Sequence, residues 1–63
     1  MCLSSIYRSS DHALLMENTS KIRVENGEIV LVDLFGRTKR IFGEIESVDL
    51  EGNEVVIQCA DRA

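Results

Sequence analysis

Asn26-Gly27 stands between two runs in which apolar and polar residues alternate, residues 21–25 and 28–32. A two-residue connection between right-twisted strands needs positive φ at both positions, and Asn-Gly meets that need at little steric cost. The pattern predicts a β-hairpin over residues 21–32. Counting outward from its turn pairs Glu25 with Glu28, Val24 with Ile29, Arg23 with Val30 and Ile22 with Leu31. Ile22, Val24, Ile29 and Leu31 then share a core face. The opposite face carries Lys21 and Arg23 on one strand but Val30 and Val32, with Leu34 beyond, on the other. A solvated face is normally more polar, so partial cover is expected there.

The rest of the chain reads as β-structure as well. Phe35-Gly36 offers a turn, with glycine suited to the positive φ of a type II turn, and residues 37–42 form the next strand. Gly43 permits a bend or bulge, and Ile45 and Val48 are out of phase, so an irregularity is expected within residues 44–49. After the turn Glu51-Gly52-Asn53, a last strand over 54–59 puts Val55, Ile57 and Cys59 on one face. Near the start, Leu3 and Tyr7 share one parity and Cys2, Ser4 and Ile6 the other, which leaves open which side is buried. A strand about Ala13 to Glu17 is preferred over a short helix capped by Ser10 or Asp11, because about eight residues make a marginal helix. With no proline and poor helical periodicity, the expectation is all-β. Residues 1–63 read as a single domain, a small antiparallel β-barrel (SH3-like) of six to seven short strands.

A chain of 63 residues buries only about 60% of the surface exposed when unfolded, so support from a metal or a second copy is expected. An apolar content of 44% is enough for a core with some left for a partner, and a homodimer follows naturally. No apolar run nears the roughly 18 residues that span a bilayer, and no signal-peptide pattern is present, so the chain reads as soluble and cytoplasmic. Cys2 and Cys59 are then expected as thiols. Seven basic against eleven acidic residues give a net charge of −4, which repels nucleic acid at long range. With one histidine and no phosphate-cradling loop or nucleophile with an evident base, the sequence points away from an enzyme and toward a binding protein.

Taken in order, Met1-Cys2 with Ile6-Tyr7, then Leu14-Leu15-Met16-Glu17-Asn18, Ile22 before Asn26-Gly27, Leu34-Phe35-Gly36, and Gly43-Glu44-Ile45 leading to Val48-Asp49-Leu50, the chain resembles the CooT-type family of small nickel-binding proteins. The resemblance covers nearly the whole chain. It implies a small β-barrel homodimer that binds Ni(II) through the cysteine directly after the first methionine, here Cys2. It also implies nickel delivery as a metallochaperone, storage or sensing, with one example linked to maturation of nickel carbon monoxide dehydrogenase. Some members carry the description "predicted RNA-binding", which sets the alternative of a small RNA-binding or general interaction module.

From the residues alone, Cys2 is most simply a terminal thiol or a small packing residue; the resemblance reverses that preference. Sulfur and nitrogen donors close together can chelate one metal. The donors are the Cys2 thiolate with its own α-amine if Met1 is removed, or with the Met1 amine and the Cys2 amide nitrogen if it stays. Two such sets across a two-fold axis give a site suited to planar Ni(II), and because the donors must lose protons, affinity should fall as pH drops. His12, in the polar segment Ser9-Ser10-Asp11, is a further candidate ligand if its loop folds toward Cys2. Cys59 could be a second thiolate or a disulfide partner of Cys2, but its parity with Val55 and Ile57 favours a packing role. Arg37, Lys39 and Arg40 form the basic cluster that the RNA-binding alternative would use, and otherwise they protect a strand edge by charge.

Overall fold

The computed structural model describes residues 3–59, as five strands. They are β1 (Ser4–Arg8), β2 (Leu14–Glu25), β3 (Glu28–Asp33), β4 (Thr38–Asp49) and β5 (Glu54–Cys59). Each strand pairs antiparallel with the next, and β5 closes the barrel onto β1. That closing ladder is parallel, Ser5 opposite Glu54 through Arg8 opposite Ile57. In a meander the direction alternates, so a first and fifth strand must run the same way.

The expected six to seven short strands are corrected to five. β2 and β4 are twelve residues each, and each serves two ladders. β2 pairs with β1 as far as Thr19 and then with β3, with Asn18 at φ 54 at the change. β4 pairs with β3 as far as Phe42 and with β5 from Gly43, whose φ of 155 supplies the expected bend. A strand that rounds a barrel corner interrupts its own alternation, and in sequence it reads as two. The expected irregularity after Gly43 is a register shift between Ile45 and Ser47.

The Asn26-Gly27 hairpin has all four expected pairs, with φ 51 and 77 at its turn. Ile6, Ile29, Leu31, Val55 and Ile57 form the buried core, with Leu15, Met16, Ile22, Ile41 and Cys59 packed against it. Val24 shares the inward face but is 59% exposed, because its row lies beside the hairpin turn, beyond the core. On the outer face Val30 is only 6% exposed. The register sets Arg23 and Arg40 on either side of it, and the aliphatic stems of such residues cover apolar surface.

Three aspartates organise three turns. Asp11 Oδ1 accepts from the Ala13 amide, Asp33 Oδ1 from the Phe35 and Arg37 amides, and Asp49 Oδ1 from the Glu51 and Gly52 amides. At the second turn the Gly36 amide donates to the Asp33 carbonyl at 3.0 Å. Gly36, at φ 85, therefore stands at the fourth position, after the turn, rather than inside a type II turn as the sequence suggested. Among the described residues no helix is long and apolar enough to cross a membrane.

Candidate metal centre

The barrel has two unlike ends. At one, the chain enters β1 through Leu3, beside the β4–β5 turn at 50–53, and the Asn26-Gly27 hairpin joins β2 to β3; the Ser5 amide donates to the Asn53 carbonyl at 2.9 Å. At the other lie the turns at 9–13 and 34–37 and the end of β5 at Cys59, with the Leu34 amide donating to the Asn18 carbonyl at 2.8 Å.

A polar rung crosses three strands of the barrel wall. Ser4 pairs with Thr19, and Thr19 with Asp33, on the same inward face as Ile6 and Leu31. A bulge creates this arrangement: Ser4 and Ile6 are two residues apart, whereas their partners Thr19 and Met16 are three apart. Asp33 is buried. Its Oδ2 accepts from Arg37 Nε at 2.8 Å, and Arg37 also lies over the Phe35 ring at 5.4 Å. Burial alone would push the Asp33 carboxyl up, but the Arg37 amide and guanidinium together with the Phe35 amide hold it below the usual carboxylate range. Thr19 differs: it is 3% exposed and its Oγ1 has no hydrogen-bond partner among the described residues. A buried hydroxyl in that state costs about 1–3 kcal/mol.

Cys2, and Met1 whose nitrogen would assist it, lie outside the described residues. Among the described residues, no group of three or more His, Cys, Asp or Glu side chains could hold a metal ion.

His12 and Cys59 are both at the far end. β1 separates them from Leu3 by five residues, about 17 Å at about 3.3 Å per residue. His12 is exposed at φ 58 and stacks on Tyr7, with ring centroids 4.5 Å apart and planes 8° from parallel. Its loop is tied by Arg8, which donates to both carboxylate oxygens of Asp11 at 3.0 and 2.9 Å. These bonds hold Asp11 below its ordinary pKa and Arg8 above its own. The fold therefore turns the His12 loop away from the Leu3 end. Because β1 and β5 are parallel, adjoining first and last strands also leave Cys59 remote from that end.

The basic cluster does not form one face. Arg37 precedes β4 and is bound to Asp33. Lys39 lies opposite Leu31, on the inward parity, and its Nζ donates to the Leu15 carbonyl at 3.3 Å. Arg40 lies opposite Val30 on the outer face and pairs with Glu28 at 2.7 Å. Strand alternation sends neighbours to opposite faces, which contiguity in sequence conceals. Residues 38–42 pair with β3 on one side, and the β5 ladder begins only at Gly43, so among the described residues the other side of this half-strand is an edge of the kind that charge protects. Thr19 escaped sequence reasoning because it sits in the polar run Glu17-Asn18-Thr19-Ser20, which has no apolar rhythm to set its phase. Asp33 was more accessible, as an Asp-x-x-Gly turn signal.

The class these features define is a small closed five-stranded β-barrel with an apolar core. The chain belongs to the CooT family, described as CO dehydrogenase accessory protein CooT, whose family model matches residues 1–58. This is the family its ordered motifs resemble, one of accessory proteins rather than catalytic ones. It is similar to an uncharacterized protein of Methanocaldococcus jannaschii, 31% identical over 58 residues, which are 92% of this chain and 98% of that one. The fold is shared with a crystal structure assigned to CooT from Carboxydothermus hydrogenoformans, at a TM-score of 0.87 and 21% identity, across 95% of this chain and 100% of that chain.

Proposed function

We propose that this protein carries Ni(II) as cargo for a nickel enzyme, by family carbon monoxide dehydrogenase, and holds it between two copies of the chain through Cys2. The observation that carries the reading is the match to an accessory family of that enzyme over residues 1–58, a span that includes Cys2. The entry end of the barrel supports it, because exposed apolar side chains, Val48 and Leu50, stand at the end of β4 and in the turn bonded to the start of β1. Apolar surface gathered at one end of so small a molecule marks an interaction site. Two copies meeting there bring two Cys2 thiolates and their neighbouring backbone nitrogens together, four donors of the kind that suit planar Ni(II). This rim replaces the Val30 and Val32 face as the candidate dimer surface, since Val30 is already covered within the chain.

The test is a titration of metal-free protein with Ni(II), Zn(II) and Co(II), followed by calorimetry and absorption. One nickel per two chains is expected, with sulfur-to-nickel charge-transfer bands that disappear in Cys2→Ser. Nickel affinity undiminished in Cys2→Ser would sink the reading.

A further inference from the structure

We infer that the outer face of the β1–β5 wall is a docking surface for a basic patch on the recipient enzyme; this rests on the delivery reading above. Ile6, Val55 and Ile57 are buried inside the wall, so alternation puts Tyr7 and Val56 on its outside, both half-buried. Tyr7 is opposite Leu14 on one side and Val56 on the other. An apolar row therefore crosses β2, β1 and β5 on the outer surface, with Leu14 47% exposed. The turn after β1 enlarges it. His12, at φ 58, lays its ring on that of Tyr7, 4.5 Å away and 8° from parallel, and the Arg8–Asp11 pair ties the loop. A flat aromatic surface fixed before contact lowers the ordering cost of binding.

Acids border this row. On the same outward parity, Glu44 is opposite Gln58 on one side of it, and Asp49 is opposite Glu54, itself beside Ser5, on the other. From residue 41 to residue 59 the sequence has five acids and no lysine or arginine. The ion pairs among the described residues use other carboxylates, those of Asp11, Glu25, Glu28 and Asp33. The charge selects the occupant. It repels phosphate, whether of nucleic acid or of a membrane surface, and a two-fold contact here would set acid against acid. The second copy therefore belongs elsewhere, and Val48, on the opposite parity from Asp49, is part of a different surface. What fits this face is a protein patch with an apolar centre and a lysine or arginine border, steered in by charge and loosened by salt.

The test is a titration of isotope-labelled, nickel-loaded protein with metal-free carbon monoxide dehydrogenase at low and high salt, followed by nuclear magnetic resonance. Amide signals of Tyr7, Leu14, Glu54 and Val56 should broaden first, and the effect should fade as salt rises. With the enzyme immobilised, Glu44→Lys combined with Glu54→Lys should slow association about tenfold or more at low salt. Leu14→Ser should leave association unchanged and weaken binding about fivefold through faster release. These variants should take up nickel as the parent does. Broadening centred on another face overturns the inference, as does a complex insensitive to salt and charge reversal, or no complex at all. If a charge-reversed variant fails to fold, the mapping on the parent decides alone. Cys2→Ser separates the two claims: if it loses nickel while the enzyme contact is absent, only the docking surface falls; if it binds nickel as the parent does, the metal reading fails whatever the enzyme does.

Discussion

Asp33 is the acceptor for two turn amides and one guanidinium while itself buried, so its charge is part of the fold. Its pKa is lowered on folding. The sign follows from linkage: a carboxylate with a depressed folded pKa contributes fully above its unfolded value, about 3.9, and the contribution is lost as pH falls through the folded value. Urea denaturation of the parent should therefore show stability falling below about pH 4. Asp33→Asn should be less stable than the parent near neutrality and show a smaller loss over that acid range. Equal acid sensitivity in the two proteins would place the titration elsewhere. Arg8 and Asp11 shift in the same stabilising sense, but both are exposed, and exposed pairs of this kind add little.

At the scale of elements, two glycines serve turns without serving packing. Gly27 and Gly36 have φ of 77 and 85, and a Cβ built on either meets nothing within 4 Å. Any penalty at these sites is purely conformational. Gly27→Ala and Gly36→Ala should each cost about 1–2 kcal/mol, read from urea midpoints at unchanged slope; a neutral result would show that the turns relax. The hairpin was legible in the sequence because its turn chemistry and alternation agree at every position from Ile22 to Leu31. The corners of β2 and β4 were less so. Gly43 advertises its bend, whereas Asn18 rounds a corner inside a polar run, where hydrophobic phase carries no information. That corner is also what turns Thr19 inward, so the least legible stretch of backbone sets which residue the wall buries there. The basic run at 37–40 misled for the converse reason: neighbours in sequence became residents of a turn, an inward face and an outward one.

For the molecule as a whole, the rim at the entry end makes a prediction about assembly. Leu50 is 83% and Val48 53% exposed, more apolar surface than solvation alone favours. Leu50→Glu places a charge on the rim and should shift the protein toward monomer in sedimentation, with nickel affinity reduced tenfold or more, about 1.4 kcal/mol. Monomer–dimer behaviour identical to the parent would move the contact to another surface. Nothing in the core is altered by this change, since the buried set is drawn from β1, β3 and β5. The far-UV circular dichroism of Leu50→Glu should therefore match that of the parent.

The parallel closure of β1 against β5 has a practical consequence for handling the protein. Many domains bring the two ends of the chain close together, which is why they tolerate being re-joined and cut elsewhere. Here β1 begins at one mouth of the barrel and β5 finishes at the other. A circular permutant would need a linker running the length of the barrel wall, about 17 Å at about 3.3 Å per residue, and a hairpin-length join would tear the closing ladder apart. The same geometry favours attachment through the carboxyl-terminal side. An affinity handle or surface tether placed after β5 leaves the mouth where β1 begins facing away from the support, free to meet another molecule.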